Sequence, residues 1–276
     1  MAVAKLRLDR LLVERGLAAT REKAQALIMA GRVTVAGRVV TKAGTALARE
    51  AAIELRQPPH PYVGRGGVKL ERAIRAFALE LAGKRALDVG ASTGGFSHCL
   101  LLNGAAKVYA VDVGRGLIDA RLRADPRIVL REGVNARRLD ASIVPELVDV
   151  ATIDVSFISV AKLLPAVAQR LAPGADVIVL VKPQFELERG EVGRGVVRDP
   201  LRRLIAIERV AAAARELGLE ACGLTASPIR GAKGNREFLL RLRREPGWDA
   251  TTLAEKAREV VAGDASEEPG APGAGH

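Results

Sequence analysis

Between residues 86 and 243, short apolar runs alternate with longer stretches in which apolar positions recur every three or four residues. The runs Ala86–Val89, Val108–Val113, Ile128–Arg131, Val148–Asp154, Val177–Val181, Gly223–Ile229 and Phe238–Arg243 read as strands. Gly95–Asn103, Val160–Leu171 and Pro200–Leu217 read as helices between them. The early strands are apolar without alternation, as strands are when helices cover both faces of a parallel sheet. The last two follow one another across the turn "RGAKGNRE" with no helix between, so they form a hairpin and one strand runs antiparallel. An α/β fold with a mostly parallel seven-stranded sheet is expected.

A different pattern precedes it. Leu8, Leu11, Leu12 and Leu17 make one helical stripe ending at Gly16. A second helix opens on Thr20 as N-cap, with Glu22 and Lys23 in its first turn, and closes on Gly31. Short β-branched runs follow around a turn at Ala36-Gly37, and a last strand, "AAIELRQPP", is stopped by Pro58 and Pro59. These features delimit a small α+β domain over residues 5–57 and a Pro- and Gly-rich linker over 58–67. The α/β domain spans 68–262, its last helix beginning at Thr251. Residues 263–276 contain too little apolar material to fold.

Charge narrows the choice of partner. Forty-three Lys and Arg against 32 Asp and Glu give a net charge of +11, which suits a polyanion: nucleic acid first, an acidic membrane surface second. No apolar run reaches the roughly 20 residues that span a bilayer. The opening "MAVAKLRLDRLLVERG" interrupts its apolar residues with charges, unlike a secretory signal, so a cytoplasmic location is expected. Two cysteines, Cys99 and Cys222, and histidines only at 60, 98 and 276 argue against a disulfide framework and a metal site.

The loop after the first strand of the α/β domain reads Gly90-Ala-Ser92-Thr-Gly94-Gly95. It is neither the G-x-G-x-x-G of nicotinamide binders nor a P-loop. Asp88 precedes it, and a carboxylate there repels phosphate and favours a cation or an amino group. Asp112 ends the next strand, where ribose hydroxyls are held in such folds. S-adenosylmethionine has an ammonium, a sulfonium, a ribose and no phosphate, and fits this pattern better than NAD. The expected architecture is thus a Rossmann-like fold with an S-adenosylmethionine site at its switch point.

Further chemistry falls on the same rim. Asp154 ends the fourth strand, and Lys182 ends the fifth, directly after five apolar residues and before a proline. Burial and neighbouring cations would favour a neutral amine there, able to orient or deprotonate a hydroxyl. Glu237 opens the last strand near the same edge, and Lys69 lies in the helix before the first strand.

The segments "LDVGASTGGF", "DVSFIS", "LVKPQFE", "ASPIRGAKGN" and "GRGGVKLERAI" resemble the TlyA family of bacterial ribosomal-RNA ribose 2′-O-methyltransferases, also known as haemolysins, with an FtsJ-like catalytic domain. The front module, "RLDRLLVERGLAATREKAQALIMAGRVTVAG", resembles the αL RNA-binding domain of a small-subunit ribosomal protein. Together these matches reach to about residue 246. The resemblance implies a catalytic tetrad at Lys69, Asp154, Lys182 and Glu237. It implies an adenosylmethionine site at Asp88, Gly90, Ser92, Gly94 and Gly95, with Asp112 on the ribose and Asn135 beside the adenine. It also implies ribosomal RNA in ribosomal subunits as partner: cytidine of large-subunit RNA and, from the fuller chain ends, small-subunit RNA. The linker departs from the family, reading His60-Pro61-Tyr62-Val63 where members carry an Arg and a Trp before the valine.

On this reading Lys182, held by Asp154, takes the hydroxyl proton, and Glu237 orients the hydroxyl or Lys69. No metal is required. Arg7, Arg10, Arg15, Arg21, Lys23, Arg32 and Arg38, with no aromatic residue among them, suit backbone and shape recognition of folded RNA. Arg65, Arg115, Arg194 and Arg230 would add cations around the mouth of the site. Three rivals stand beside this reading. A base methyltransferase would carry a catalytic cysteine or an Asn/Asp-Pro-Pro-Tyr loop where "DVSF" stands. A non-enzymatic RNA-binding protein leaves the glycine loop and tetrad unused. A membrane-active haemolysin would need a spanning or strongly amphipathic segment.

Overall fold

The computed structural model describes residues 5–18, 20–29, 31–55, 60–192 and 195–266. The chain divides into two compact units between Pro61 and Tyr62. In the first, β1 (Lys5–Arg7) runs directly into α1 (Leu8–Glu14), followed by α2 (Arg21–Met29), β2 (Val33–Val35), β3 (Arg38–Val39), β4 (Ala46–Ala48) and β5 (Ile53–Leu55). β1 pairs antiparallel with β4, and β3, β2 and β5 form a second antiparallel sheet in that order. Leu8, Leu12, Ala24, Ile28 and Val33 are buried between the helices and this sheet. Thr20 caps α2 as expected, its Oγ1 accepting the Lys23 N–H at 3.2 Å. Ala36 and Gly37 both have positive φ, 47° and 76°, which is the two-residue hairpin turn that right-twisted strands favour. α1 stops at Glu14, short of the expected Gly16, and Leu17 lies beyond it with its N–H bonded to the Leu12 carbonyl. β1 was not expected: three residues with a cation at each end are too short for periodicity to register. The expected stop at Pro58 and Pro59 lies outside the described residues.

The second unit comprises α3 (Gly66–Ala76), β6 (Arg85–Val89), α4 (Gly95–Leu102), β7 (Lys107–Asp112), α5 (Ala120–Arg123), β8 (Ile128–Glu132), β9 (Val148–Ile153), α6 (Leu164–Ala168), β10 (Leu171–Val181), α7 (Pro183–Glu186), α8 (Arg189–Val192), α9 (Pro200–Arg215), β11 (Glu220–Ala226), β12 (Phe238–Arg243) and α10 (Ala250–Ser266). Its sheet has the order β11-β12-β10-β9-β6-β7-β8, with β12 antiparallel to both neighbours and the other pairs parallel. The expected seven-stranded sheet with one reversed strand is what forms. Val177 to Val181 are wholly buried, because helices cover both faces of the sheet. α9 and α10 pack on one face, with Ile207, Val210, Leu253 and Val261 buried; α3 and α4 pack on the other, with Leu70, Phe96 and Leu100 buried. Among the described residues no helix is long and apolar enough to cross a membrane.

Three expectations are corrected here. The helix expected over Val160–Leu171 is a 3-10 turn (Val160–Lys162) followed by the short α6, and Leu171 already belongs to β10. The ladder between β9 and β10 is irregular between Leu171 and Asp176, around the Pro173-Gly174 step, and this hid the early start of the strand. The expected linker over 58–67 is not wholly a linker. Tyr62 is buried in the second unit against Gly67, and α3 begins at Gly66. Of the expected tail, residues up to Ser266 continue α10, and 267–276 lie outside the described residues.

Candidate active site

The site follows from the sheet order. β6, β7 and β8 progress to one side of β6 and β9 begins the other, so the crossovers diverge and leave a crevice at the carboxyl ends of the strands. Asp112 ends β7; Gly90 and Asp154 follow β6 and β9; Lys182 follows β10. β12 runs the other way, so its first residues reach this same edge: Val181 pairs with Phe238, which brings Glu237 beside Lys182. Five strands thus deliver one residue each to a single rim. The glycine loop fits tightly against it. Gly90 has φ +86°, and a Cβ there would collide with the carbonyl oxygen of Asp154, whose own N–H donates to the Val89 carbonyl at 2.9 Å.

A cleft of about 510 Å³ opens at this rim, lined by Gly90, Ser92, Asp112, Asn135, Asp154 and Ser156 and by apolar Val113, Leu117, Val134, Ile158 and Leu163. That is a usual size for a small-molecule site. Asp112 is held by two backbone donors, Ser92 N–H and Gly114 N–H, each at 2.7 Å. Among the described residues no cation pairs with it, which suits neutral hydroxyl donors. Asn135 starts a 3-10 turn, its Oδ1 accepting the Arg137 N–H at 3.1 Å. Carboxylates and apolar walls fit a ligand with an amino group, a positive sulfur, a ribose and a flat base.

Asp88, Gly94 and Gly95 do not line the cleft. Strand alternation is the reason: Leu87 and Val89 face the α9 layer, while Ala86 and Asp88 face α4. Asp88 is fully buried and accepts hydrogen bonds from Ser97 Oγ at 2.6 Å and Thr152 Oγ1 at 3.0 Å. Burial pushes its carboxyl up to about 6, against the opposing pull of those two donors, with the charge of Asp154 adding to the rise. Asp88 therefore ties the first turn of α4 to β9 beneath the glycine loop. Gly94, at φ +92°, starts α4 where a Cβ would strike Leu122, and Gly95 lies against Gly66 and Gly67.

The four tetrad residues form two ion pairs. Lys69 Nζ, from α3, meets Glu237 Oε2 at 2.5 Å, and Lys182 Nζ meets Asp154 Oδ1 at 2.6 Å. Lys69, Lys182 and Glu237 are buried. Lys182 also donates to Ser156 Oγ at 2.9 Å, a contact that sequence reasoning missed, although Ser156 stands two residues after Asp154 in "DVSFIS". The loop carrying Asp154 and Ser156 is anchored farther on. The buried carboxylate of Glu186, on α7, accepts from Ser159 Oγ at 2.6 Å and from the Val160 N–H at 3.0 Å. Phe157 was missed as well. It adopts φ +66° and is 91% exposed on the cleft, its ring 5.1 Å from that of Phe185. No spacing rule announces an aromatic held out to solvent.

The segment before α3 packs on α4, which follows the glycine loop. The Val63 N–H donates to His98 Nδ1 at 3.2 Å, and the Tyr62 ring lies edge-on to His98. Arg65, at the start of α3, is exposed. The Arg115 guanidinium lies over Gly133. Arg230 is engaged in an interaction, and Arg194 lies outside the described residues.

In the first unit the expected cations divide into tethered and outward groups. Asp9 is fully buried and accepts from Arg7 Nε, Arg21 Nε and Gln25 Nε2, each at 3.0 Å. The Arg7 bond, then those of Gln25 and Arg21, hold its carboxyl far below the usual range against the cost of burial. Arg7 and Arg21 still expose nearly half of each side chain. Arg15 donates to the carbonyls of Ala51 and Arg49. Arg10, Lys23 and Arg38 are exposed; Arg32 is half-buried and engaged.

Residues 62–244 match the FtsJ-like methyltransferase family and residues 6–53 the S4 domain. The 16S/23S rRNA (cytidine-2′-O)-methyltransferase TlyA of Mycobacterium tuberculosis is 43% identical over 96% of this chain and 99% of its own. Hemolysin A of Brachyspira hyodysenteriae is 40% identical over 85% of this chain and 98% of its own. A solved structure from Streptococcus thermophilus, provisionally named a hemolysin, superposes with a TM-score of 0.75 at 40% identity, covering 96% of this chain and 98% of the other.

Proposed function

Because this chain belongs to the TlyA family, with an FtsJ-like methyltransferase domain behind an S4 domain, we propose that it methylates a ribose 2′-hydroxyl of ribosomal RNA, using S-adenosylmethionine, in the cytoplasm. The observation that carries this reading is the pairing of Lys182 with Asp154 on the rim of a cleft whose carboxylates and apolar walls suit that cofactor. Asp112 would hold its ribose and Asn135 would lie beside its adenine, with the glycine loop letting the backbone approach. Bound there, the cofactor supplies a methyl group already activated by a positive sulfur. The protein's own task is then to place the hydroxyl and remove its proton.

Lys182 receives that proton, and Asp154 orients the amine and balances the charge it acquires. Lys69 and Glu237 form the opposite wall, where the carboxylate orients Lys69 or the hydroxyl itself. The exposed ring of Phe157 offers a stacking face to the acceptor base. The S4 unit holds folded RNA through Arg7, Arg10, Arg15, Arg21, Lys23, Arg32 and Arg38, with Arg65 adding a cation at α3. Cytidine in both subunits' RNA is the acceptor proposed, by analogy with the mycobacterial relative. The test is transfer of labelled methyl to small and large subunits lacking the modification, followed by mapping of 2′-O-methyl positions. Wild-type protein labels them, and Lys182→Ala binds cofactor but transfers at least about a hundredfold more slowly. Near-native turnover by Lys182→Ala removes the proposed role of the lysine, and no label on either subunit removes the substrate.

A further inference from the structure

We propose that Ser156 is a positioning residue: together with Asp154 it fixes the direction from which Lys182 takes the acceptor's proton. The inference rests on the methyl-transfer reading above. Lys182 Nζ lies 2.6 Å from Asp154 Oδ1 and 2.9 Å from Ser156 Oγ. An sp³ nitrogen has four tetrahedral positions, and the bond to Cε takes one. Asp154 and Ser156 take two more as hydrogen-bond acceptors. The fourth is then determined, and in the neutral amine it is the lone pair. With Asp154 alone, two positions would remain equivalent, and rotation about Cε–Nζ would exchange lone pair and hydrogen between them.

The surroundings leave that rotation as the main freedom. The Lys182 side chain is buried, and it is followed by Pro183, whose φ is fixed by its ring. Ser156 differs in exposure: it is open to solvent and lines the cleft, so it lies on the substrate side of the buried amine. Its own position is set from both ends of the loop. Asp154 is pressed against Gly90 on one side, and Glu186 ties down Ser159 and Val160 on the other. A serine at this point therefore meets the lysine with little conformational loss.

The test uses the full chain and three variants, Ser156→Ala, Ser156→Thr and Lys182→Ala. For Ser156→Ala, kcat is expected to fall about tenfold, with cofactor Kd by calorimetry and cofactor KM within about twofold of wild type. Ser156→Thr, which keeps the hydroxyl, restores most of the rate. A second readout needs no turnover. In protein labelled with ¹⁵N-lysine, the protons on Lys182 Nζ exchange with water faster in Ser156→Ala than in wild type, and Ser156→Thr reverses the change. Wild-type kcat and exchange in Ser156→Ala, beside an inactive Lys182→Ala, would overturn the role of Ser156 and leave the general base standing. An equal loss of cofactor affinity in Ser156→Ala would overturn it too, by making the serine a cofactor contact. Turnover retained by Lys182→Ala overturns the reading beneath it.

Discussion

Asp88 shows how a strand's alternation decides which layer a carboxylate at its end meets. Its place before the glycine loop suggested a ligand carboxylate, but β6 turns it toward Ser97 and Thr152, away from the cleft. Its folded carboxyl titrates near 6, above the ordinary value of 3.8. A raised carboxyl contributes stability that is fully present below the unfolded pKa and is lost as pH rises through the folded one. At neutral pH the buried charge therefore costs up to about 3 kcal/mol relative to the protonated form. Asp88→Asn removes the titration. Its stability relative to wild type, measured by denaturant unfolding, should rise between pH 4 and 7 and level off above. A difference that stays flat over that interval would mean that Asp88 is not buried as a titrating acid. The four residues expected as a tetrad stood out by their places at apolar strand ends or a helix start, and their grouping came from the family resemblance. Their partition into Lys69–Glu237 and Lys182–Asp154 was not legible, because pairing depends on side-chain reach across strands far apart in sequence.

At the scale of elements, the strand–loop–helix unit of β6, the glycine loop and α4 carries the cleft. Its elements were readable because a five-residue buried strand, a glycine turn and a helix start each leave a local mark. The close approach to β9 left none, since it involves residues 64 positions apart. Gly90→Ala forces a Cβ into the Asp154 carbonyl at a φ that L-residues avoid. A loss of about 1–3 kcal/mol of stability is expected, with at least about tenfold weaker cofactor binding by calorimetry. If both stay at wild-type values, the loop does not depend on that approach. The boundaries that sequence missed share a cause. The Leu171 start of β10 and the Tyr62 docking before α3 depend on packing partners, while Pro and Gly marked both places as breaks.

For the whole molecule, the net charge of +11 is a weaker guide than its placement. Part of the basic surface of the S4 unit is built on an internal anion: Asp9 fixes Arg7 and Arg21, whereas Arg10 and Lys23 extend into solvent. Reversing either of the latter, by Arg10→Glu or Lys23→Glu, should weaken binding to ribosomal RNA without altering cofactor affinity. The slope of log K against log salt should fall by about one unit for each phosphate that is no longer neutralised. An unchanged slope in both variants would mean that the RNA lies elsewhere.

The sheet order also sets a timetable. Glu237 arrives on β12, which inserts between β10 and β11 only after both have been made, and its partner Lys69 precedes it by 168 residues. During synthesis the lysine, the cofactor loop and the Asp154–Lys182 pair all emerge before the strand that completes the wall. A chain that ended ahead of residue 237 would carry every residue that lines the cleft and lack the second ion pair. The order of translation thus delivers the residues of the cleft before the carboxylate proposed to complete the tetrad.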